Sequence, residues 1–120
     1  MWLYSQSTGK LSHDGELVGT GYSGLGLDKD VAADQNIEGR GPIPQGLWFV
    51  GKLGNSPTLG PGVMPLFPDN GTETFGRSGF FIHGDSLEHP GQASHGCIVL
   101  GYYLRRMIAN SGDNELTVVA

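Results

Sequence analysis

The chain has one cysteine in 120 residues. It can form no internal disulfide, no four-cysteine zinc site and no iron–sulfur cluster. Stability must therefore come from a packed core, and a chain of this mass buries roughly two-thirds of its unfolded surface. Basic residues are also scarce, with seven Lys and Arg against twelve Asp and Glu and a formal net charge of −5. That balance excludes a general nucleic-acid binder, which needs a basic surface matched to phosphates. Long apolar runs are missing. The longest, at 47–50 and 97–100, fall far short of the ~20 residues that span a bilayer, so no membrane insertion is expected. The opening Met1-Trp2-Leu3-Tyr4-Ser5-Gln6 has neither a basic n-region nor an apolar h-region. The expectation is a protein made in the cytoplasm without a signal peptide.

Glycine, by contrast, is abundant at 21 residues, which points to many tight turns between short strands. Leu, Ile, Val and Phe make up a quarter of the chain, enough for a core. Trp2 and Tyr4 alternate with Leu3 and Ser5, and Asp14-Gly15 is a strong hairpin signal, so residues 2–20 read as an antiparallel meander. Residues 24–41 read as a loop with a short helical turn near 29–33. The Gly41-Pro42-Ile43-Pro44-Gln45-Gly46 turn delays the next strand until after Gly46. Residues 54–79 lack any period and read as a long loop with one short strand at 63–67. Phe80-Phe81-Ile82 reads as a buried strand. Only Leu100, Tyr103, Leu104, Met107 and Ile108 keep helical spacing, with Arg105 and Arg106 off that stripe. No repeat or linker divides the chain. The prediction is one mainly β domain over 1–120 with a single helix.

His83, His89, His95 and Cys97 lie within fifteen residues of one another. Thiol catalysis needs a base and donors for an oxyanion. Cys97 stands just before the predicted helix, whose positive end would lower its pKa. His83 ends a strand and can be held opposite it as a base. The competing assignments are a buried structural cysteine and a satisfied core histidine. His95 is expected to orient the site or bind substrate, His89 to be a solvated loop residue and His13 a surface one. Arg77 either clamps a substrate carboxylate bidentately or is a solvated loop arginine. His83, Asp85, His89, His95 and Cys97 also offer donors for zinc, but their spacing matches no common zinc pattern. No metal and no cofactor are expected.

Ser94-His95-Gly96-Cys97, preceded by Ile82-His83-Gly84, resembles the active-site signature of the L,D-transpeptidases with their YkuD-type β-fold. The 41–48 turn, the 2–24 opening and Phe81-Ile82-His83-Gly84-Asp85 are similar to a narrower branch, the type VI secretion L,D-transpeptidase effectors. The resemblance covers essentially the whole chain. It implies a β-sandwich or open barrel with one short helix after the cysteine. It implies Cys97 as nucleophile, His83 as general base and acid, the Gly84 carbonyl as the group orienting the imidazole, and the Gly96 and Cys97 amides as the oxyanion hole. Ser94 and His95 would shape the substrate pocket. Where the family often carries an arginine two residues after the cysteine, this chain has Val99.

The substrate implied is the peptidoglycan stem tetrapeptide, attacked between meso-diaminopimelate and D-alanine. Water would complete an L,D-carboxypeptidase reaction, and a D-amino acid an L,D-transpeptidase exchange. The branch further implies an antibacterial toxin delivered by a secretion apparatus into the periplasm of a target bacterium, with a periplasmic immunity protein as partner. The alternatives are a phage-type lysis enzyme on the same substrate, a non-catalytic wall-binding module, and a zinc amidase.

Overall fold

The computed structural model describes residues 1–120. Strands β1 (Trp2–Ser5), β2 (Lys10–His13) and β3 (Glu16–Thr20) form the expected antiparallel meander, closed at Asp14-Gly15. Trp2 and Tyr4 point into the core while Leu3 points out, as the period of two requires. Gly21 alone separates β3 from β4 (Tyr22–Ser23). A Cβ at Gly21 would collide with the Val99 carbonyl, so only glycine lets the chain pass that close to the neighbouring strand.

The remaining strands are β5 (Gly46–Val50), β6 (Gly54–Ser56), β7 (Gly60–Pro68), β8 (Phe81–His83), β9 (Ile98–Val99) and β10 (Glu115–Val119). The pairing path runs β3-β2-β1-β10-β5-β7-β8-β9-β4, with β6 folded onto β7. The two ends of that path, β3 and β4, are consecutive in the chain. The sheet therefore curls round to bring its edges near each other, yet it does not close by pairing. This is the mainly β, open architecture expected, with one helix after the cysteine. β7 is nine residues long where a short strand was expected. Its prolines lack an N–H, but the Pro65 carbonyl still accepts from Gly51 at 2.8 Å. The expected helical turn is instead two single 3₁₀ turns, Gly26–Asp28 and Ala32–Asp34.

The core gathers Trp2, Tyr4, Leu11, Ile43, Trp48, Met64, Ile82, Ile98, Leu116 and Val118. Phe80 meets Trp48 edge to face at 5.0 Å. Outside it, His13 stacks on Trp2 at 4.0 Å and bonds Asp113 at 2.9 Å. Helix α1 (Tyr102–Asn110) starts two residues later than the apolar stripe, leaving Leu100 ahead of it and Tyr103 exposed. Arg105, expected on the helix surface, is buried. Its Nε donates to the Leu100 carbonyl at 3.0 Å, and its Nη1 donates to Pro61 and Gly62 at 2.9 and 2.7 Å. It ties the helix start to β7. Arg105→Ala strands those three carbonyls and should cost about 2–3 kcal/mol, read as a fall in the urea midpoint at unchanged slope.

Candidate active site

β8 and β9 pair in parallel, with Ile82 beside Ile98 and His83 beside Val99. Parallel neighbours need a crossover, and the chain from Gly84 to Cys97 makes it. The nucleophile candidate therefore enters β9 at one end while His83 leaves β8 at the other. Ile82, Ile98 and Leu100 face the core, so alternation puts Phe81, His83, Cys97 and Val99 on the opposite face. Cys97 comes level with Phe81, one diagonal from His83.

The turn before Cys97 is built on Ser94, which is fully buried. Its Oγ donates to the Cys97 carbonyl at 2.6 Å and accepts from the Gly24 and Gly96 amides at 2.9 and 3.1 Å. Ser94 thus shapes the site from below and lines no part of the cavity. The Gly96 amide, expected in an oxyanion hole, is already engaged by Ser94. The Cys97 amide makes no hydrogen bond within the protein. Gly96 has φ +136°, and a Cβ there would run into Arg77 Nη2 and the Phe80 ring. Gly96→Ala combines that overlap with backbone strain of about 1–3 kcal/mol. It should lower the thermal midpoint and abolish alkylation of Cys97 at its normal rate.

The Cys97 thiol is half-buried and faces the Gly79 carbonyl at 3.8 Å. Burial pushes its pKa up, while the Phe81 amide and the Arg77 charge pull it back only in part. The expected helix effect is absent, because β9 and two further residues separate Cys97 from α1. Residues 98 and 99 are β-branched and extend the sheet before the helix can begin.

His83 is buried. Its Nδ1 lies 2.8 Å from the Gly84 carbonyl. A carbonyl can only accept, so Nδ1 carries the proton and Nε2 keeps a free lone pair. Burial lowers the His83 pKa, the Gly84 contact raises it, and the nearby Arg105 charge lowers it again. The ring is neutral near pH 7.

Arg77 is neither a solvated loop residue nor a free clamp. It is buried, with Nη1 donating to the Gln35 and Pro42 carbonyls and Nη2 to Gly41 and His95. All four Nη hydrogens are committed. His95 is exposed, and its Nδ1 lies 3.1 Å from the Gly39 carbonyl. These contacts hold segment 35–42 against the nucleophile turn. Between them lies a cavity of about 200 Å³ lined by Cys97, His95, Arg77, Gly79 and Glu38. A larger hollow of about 720 Å³ between β5 and the end of α1 holds neither Cys97 nor any histidine, and it lacks the groups that thiol chemistry needs.

The bracing roles of Tyr22 and Asp85 escaped the sequence reading, which named Asp85 only as a possible zinc donor and as part of the family-like run 81–85. Asp85 accepts from the Ser86 amide at 2.8 Å, from the Gly91 amide at 3.1 Å and from the Tyr22 hydroxyl at 2.6 Å. Tyr22 in turn accepts from Ala93 at 2.9 Å. Together they brace both ends of the crossover loop. Burial and then Asp85 push the Tyr22 hydroxyl up to about 12. An Asp directly after His-Gly at a loop start was the available signal.

The family model for the YkuD L,D-transpeptidase catalytic domain matches residues 3–115. The chain belongs to the YkuD family. No curated protein matches it. As a YkuD domain it is a cysteine-dependent, L,D-transpeptidase-type protein whose substrate is peptidoglycan. Its single thiol then stands out among the site groups, because no other cysteine is present to serve that chemistry. No helix of this YkuD domain is long and apolar enough to cross a membrane.

Proposed function

We propose that the protein cleaves peptidoglycan stem tetrapeptides between meso-diaminopimelate and D-alanine, and exchanges the terminal D-amino acid when one is available. The observation that carries this reading is the placement of the only thiol and the Gly84-anchored His83 on one sheet face of a YkuD domain. Cys97 is the nucleophile and His83 the base. The thiol faces the Gly79 carbonyl at 3.8 Å and not the imidazole, and catalytic contacts of this kind commonly tighten only with substrate bound.

Because burial raises the thiol and lowers the imidazole, the pair rests as neutral thiol and neutral ring rather than as an ion pair. Proton transfer to Nε2 therefore accompanies attack. The sulfur bonds to the carbonyl carbon of diaminopimelate, and the developing oxyanion draws on the free Cys97 amide. The carbon–nitrogen bond then breaks as His83 returns the proton to the leaving amine of D-alanine. Water or the amine of a D-amino acid, deprotonated by His83, attacks the thioester and expels the thiolate, which takes that proton back from His83 to restore the resting pair.

Either outcome removes the tetrapeptide donor needed for cross-linking, so the reading extends to an antibacterial effector. It would be delivered by a type VI secretion apparatus into a rival's periplasm, with a periplasmic immunity protein protecting the producer. The similarity of the 41–48 turn and the 2–24 opening to that effector branch supports this. Incubation with purified tetrapeptide muropeptides, read by mass with and without a D-amino acid, tests the chemistry. Growth tests the role: the chain fused to a secretory signal should swell or lyse a Gram-negative host, and the unfused chain should not. Toxicity from the unfused chain would point to a different target.

A further inference from the structure

Segment 35–42 crosses the Cys97 cavity as a fixed arch. Arg77 holds the carbonyls of Gln35, Gly41 and Pro42, and His95 holds that of Gly39. The Gln35 side chain is itself tied down, its Oε1 accepting from Gln45 at 2.9 Å and from Gln6 at 3.1 Å. Glu38 rides on this arch. Its side chain is exposed, makes no hydrogen bond or ion pair within the protein, and lines the same cavity as the thiol. A carboxylate with no hydrogen-bond or ion-pair partner, on a backbone tied at Gln35, Gly39, Gly41 and Pro42, can receive a cation with only its own side-chain rotamers left to order, and within the cavity it acts on Arg77 only through space. The other charge in the cavity, Arg77, has spent its Nη hydrogens on carbonyls. It can answer an incoming anion only through space. The cavity volume of about 200 Å³ has room for a short aminoalkyl group.

We propose that Glu38 is a specificity-determining residue whose carboxylate receives a primary ammonium group borne by the substrate beside the scissile carbonyl. The inference rests on the peptidoglycan reading above and names a contact within it. Two sources carry this chemistry: the side-chain amine of the diamino acid in the donor stem, and the amine of an entering amino acid, held as its ammonium on arrival and deprotonated by His83 before it attacks the thioester.

The sole thiol makes the local potential measurable without any substrate. Cys97 is modified with a trimethylammonioethyl and with a sulfonatoethyl methanethiosulfonate, and separately with neutral iodoacetamide. Glu38→Gln should lower the cation-to-anion rate ratio about tenfold at low salt and, because the same change in potential eases ionisation of the thiol, raise the iodoacetamide rate by only about threefold. In the first substrate arm, the wild-type preference for a stem tetrapeptide with a free side-chain amine over its N-acetylated form is compared with that of Glu38→Gln. In the second, exchange with a D-amino acid is compared with exchange with the matching D-hydroxy acid. Loss of preference by threefold or more in the first arm assigns the ammonium to the donor, and in the second to the acceptor. An unchanged reagent ratio overturns the inference. So does a changed ratio with both substrate preferences intact. Absence of product from the wild type in every arm would instead overturn the proposed function, a result distinct from wild-type conversion that Glu38→Gln leaves undiscriminating.

Discussion

Cys97→Ala should abolish conversion of tetrapeptide muropeptides, with kcat/KM lowered by about four orders of magnitude or more. No second thiol exists to take over the covalent step, and the loss should hold at every pH. The fold should survive. The thiol makes only weak contacts, to the Gly79 carbonyl at 3.8 Å and to the Phe81 amide, and the backbone of its turn is held by Ser94 and not by the sulfur. A stability change within about 1 kcal/mol is expected, read from the thermal midpoint. Hydrolysis or exchange that persists in this variant above background would remove the thiol from the mechanism.

How far the sequence revealed this site depends on which contacts are local. Asp14-Gly15 specifies its hairpin within four residues, and Trp2 and Tyr4 declare an inward face by alternation alone. The Ser94-His95-Gly96-Cys97 turn is likewise short, so its residues were legible as a unit. The parallel pairing of β8 with β9 is not local, and nothing in two or three β-branched or aromatic residues states which strand they will meet. Reading 98–100 as a helix approach rather than a strand placed Cys97 at a helix end and gave the wrong sign for its pKa shift.

The two arginines show the same limit from another side. Charged residues are seldom buried unless paired, so Arg77 read as a substrate clamp or a solvated loop arginine and Arg105 as a surface group. What buries them is a supply of backbone carbonyls that no strand neighbour satisfies: those of residues 35, 41, 42 and 95 around Arg77, and of 61, 62 and 100 around Arg105. A guanidinium, with five donors in a rigid fork, can answer several at once. That demand arises from loop paths that only the folded chain reveals.

His83→Ala should behave differently from Cys97→Ala, and the difference is in the pH profile. In the wild type, activity rises as His83 loses its proton. Burial lowers that pKa below the ordinary 6.5, so the acid limb should lie below the usual histidine range and activity should be on its plateau at pH 7. At high pH the thiol ionises, above its ordinary 9.0 because burial raises it. The neutral imidazole then has no proton to give the leaving amine, and activity falls. His83→Ala removes the acid limb altogether. Near neutral pH the variant holds a protonated thiol with no base, and its rate should fall about 10³-fold. As pH climbs through the raised thiol pKa the thiolate forms unaided. Iodoacetamide alkylation of Cys97 in the variant should then recover toward the wild-type rate, while amide cleavage recovers only in part for want of an acid. Cys97→Ala offers neither recovery. Rate profiles of cleavage and alkylation from pH 5 to 10 decide the matter, and a variant that kept the wild-type acid limb would assign the base to another group, with His95 the next to test.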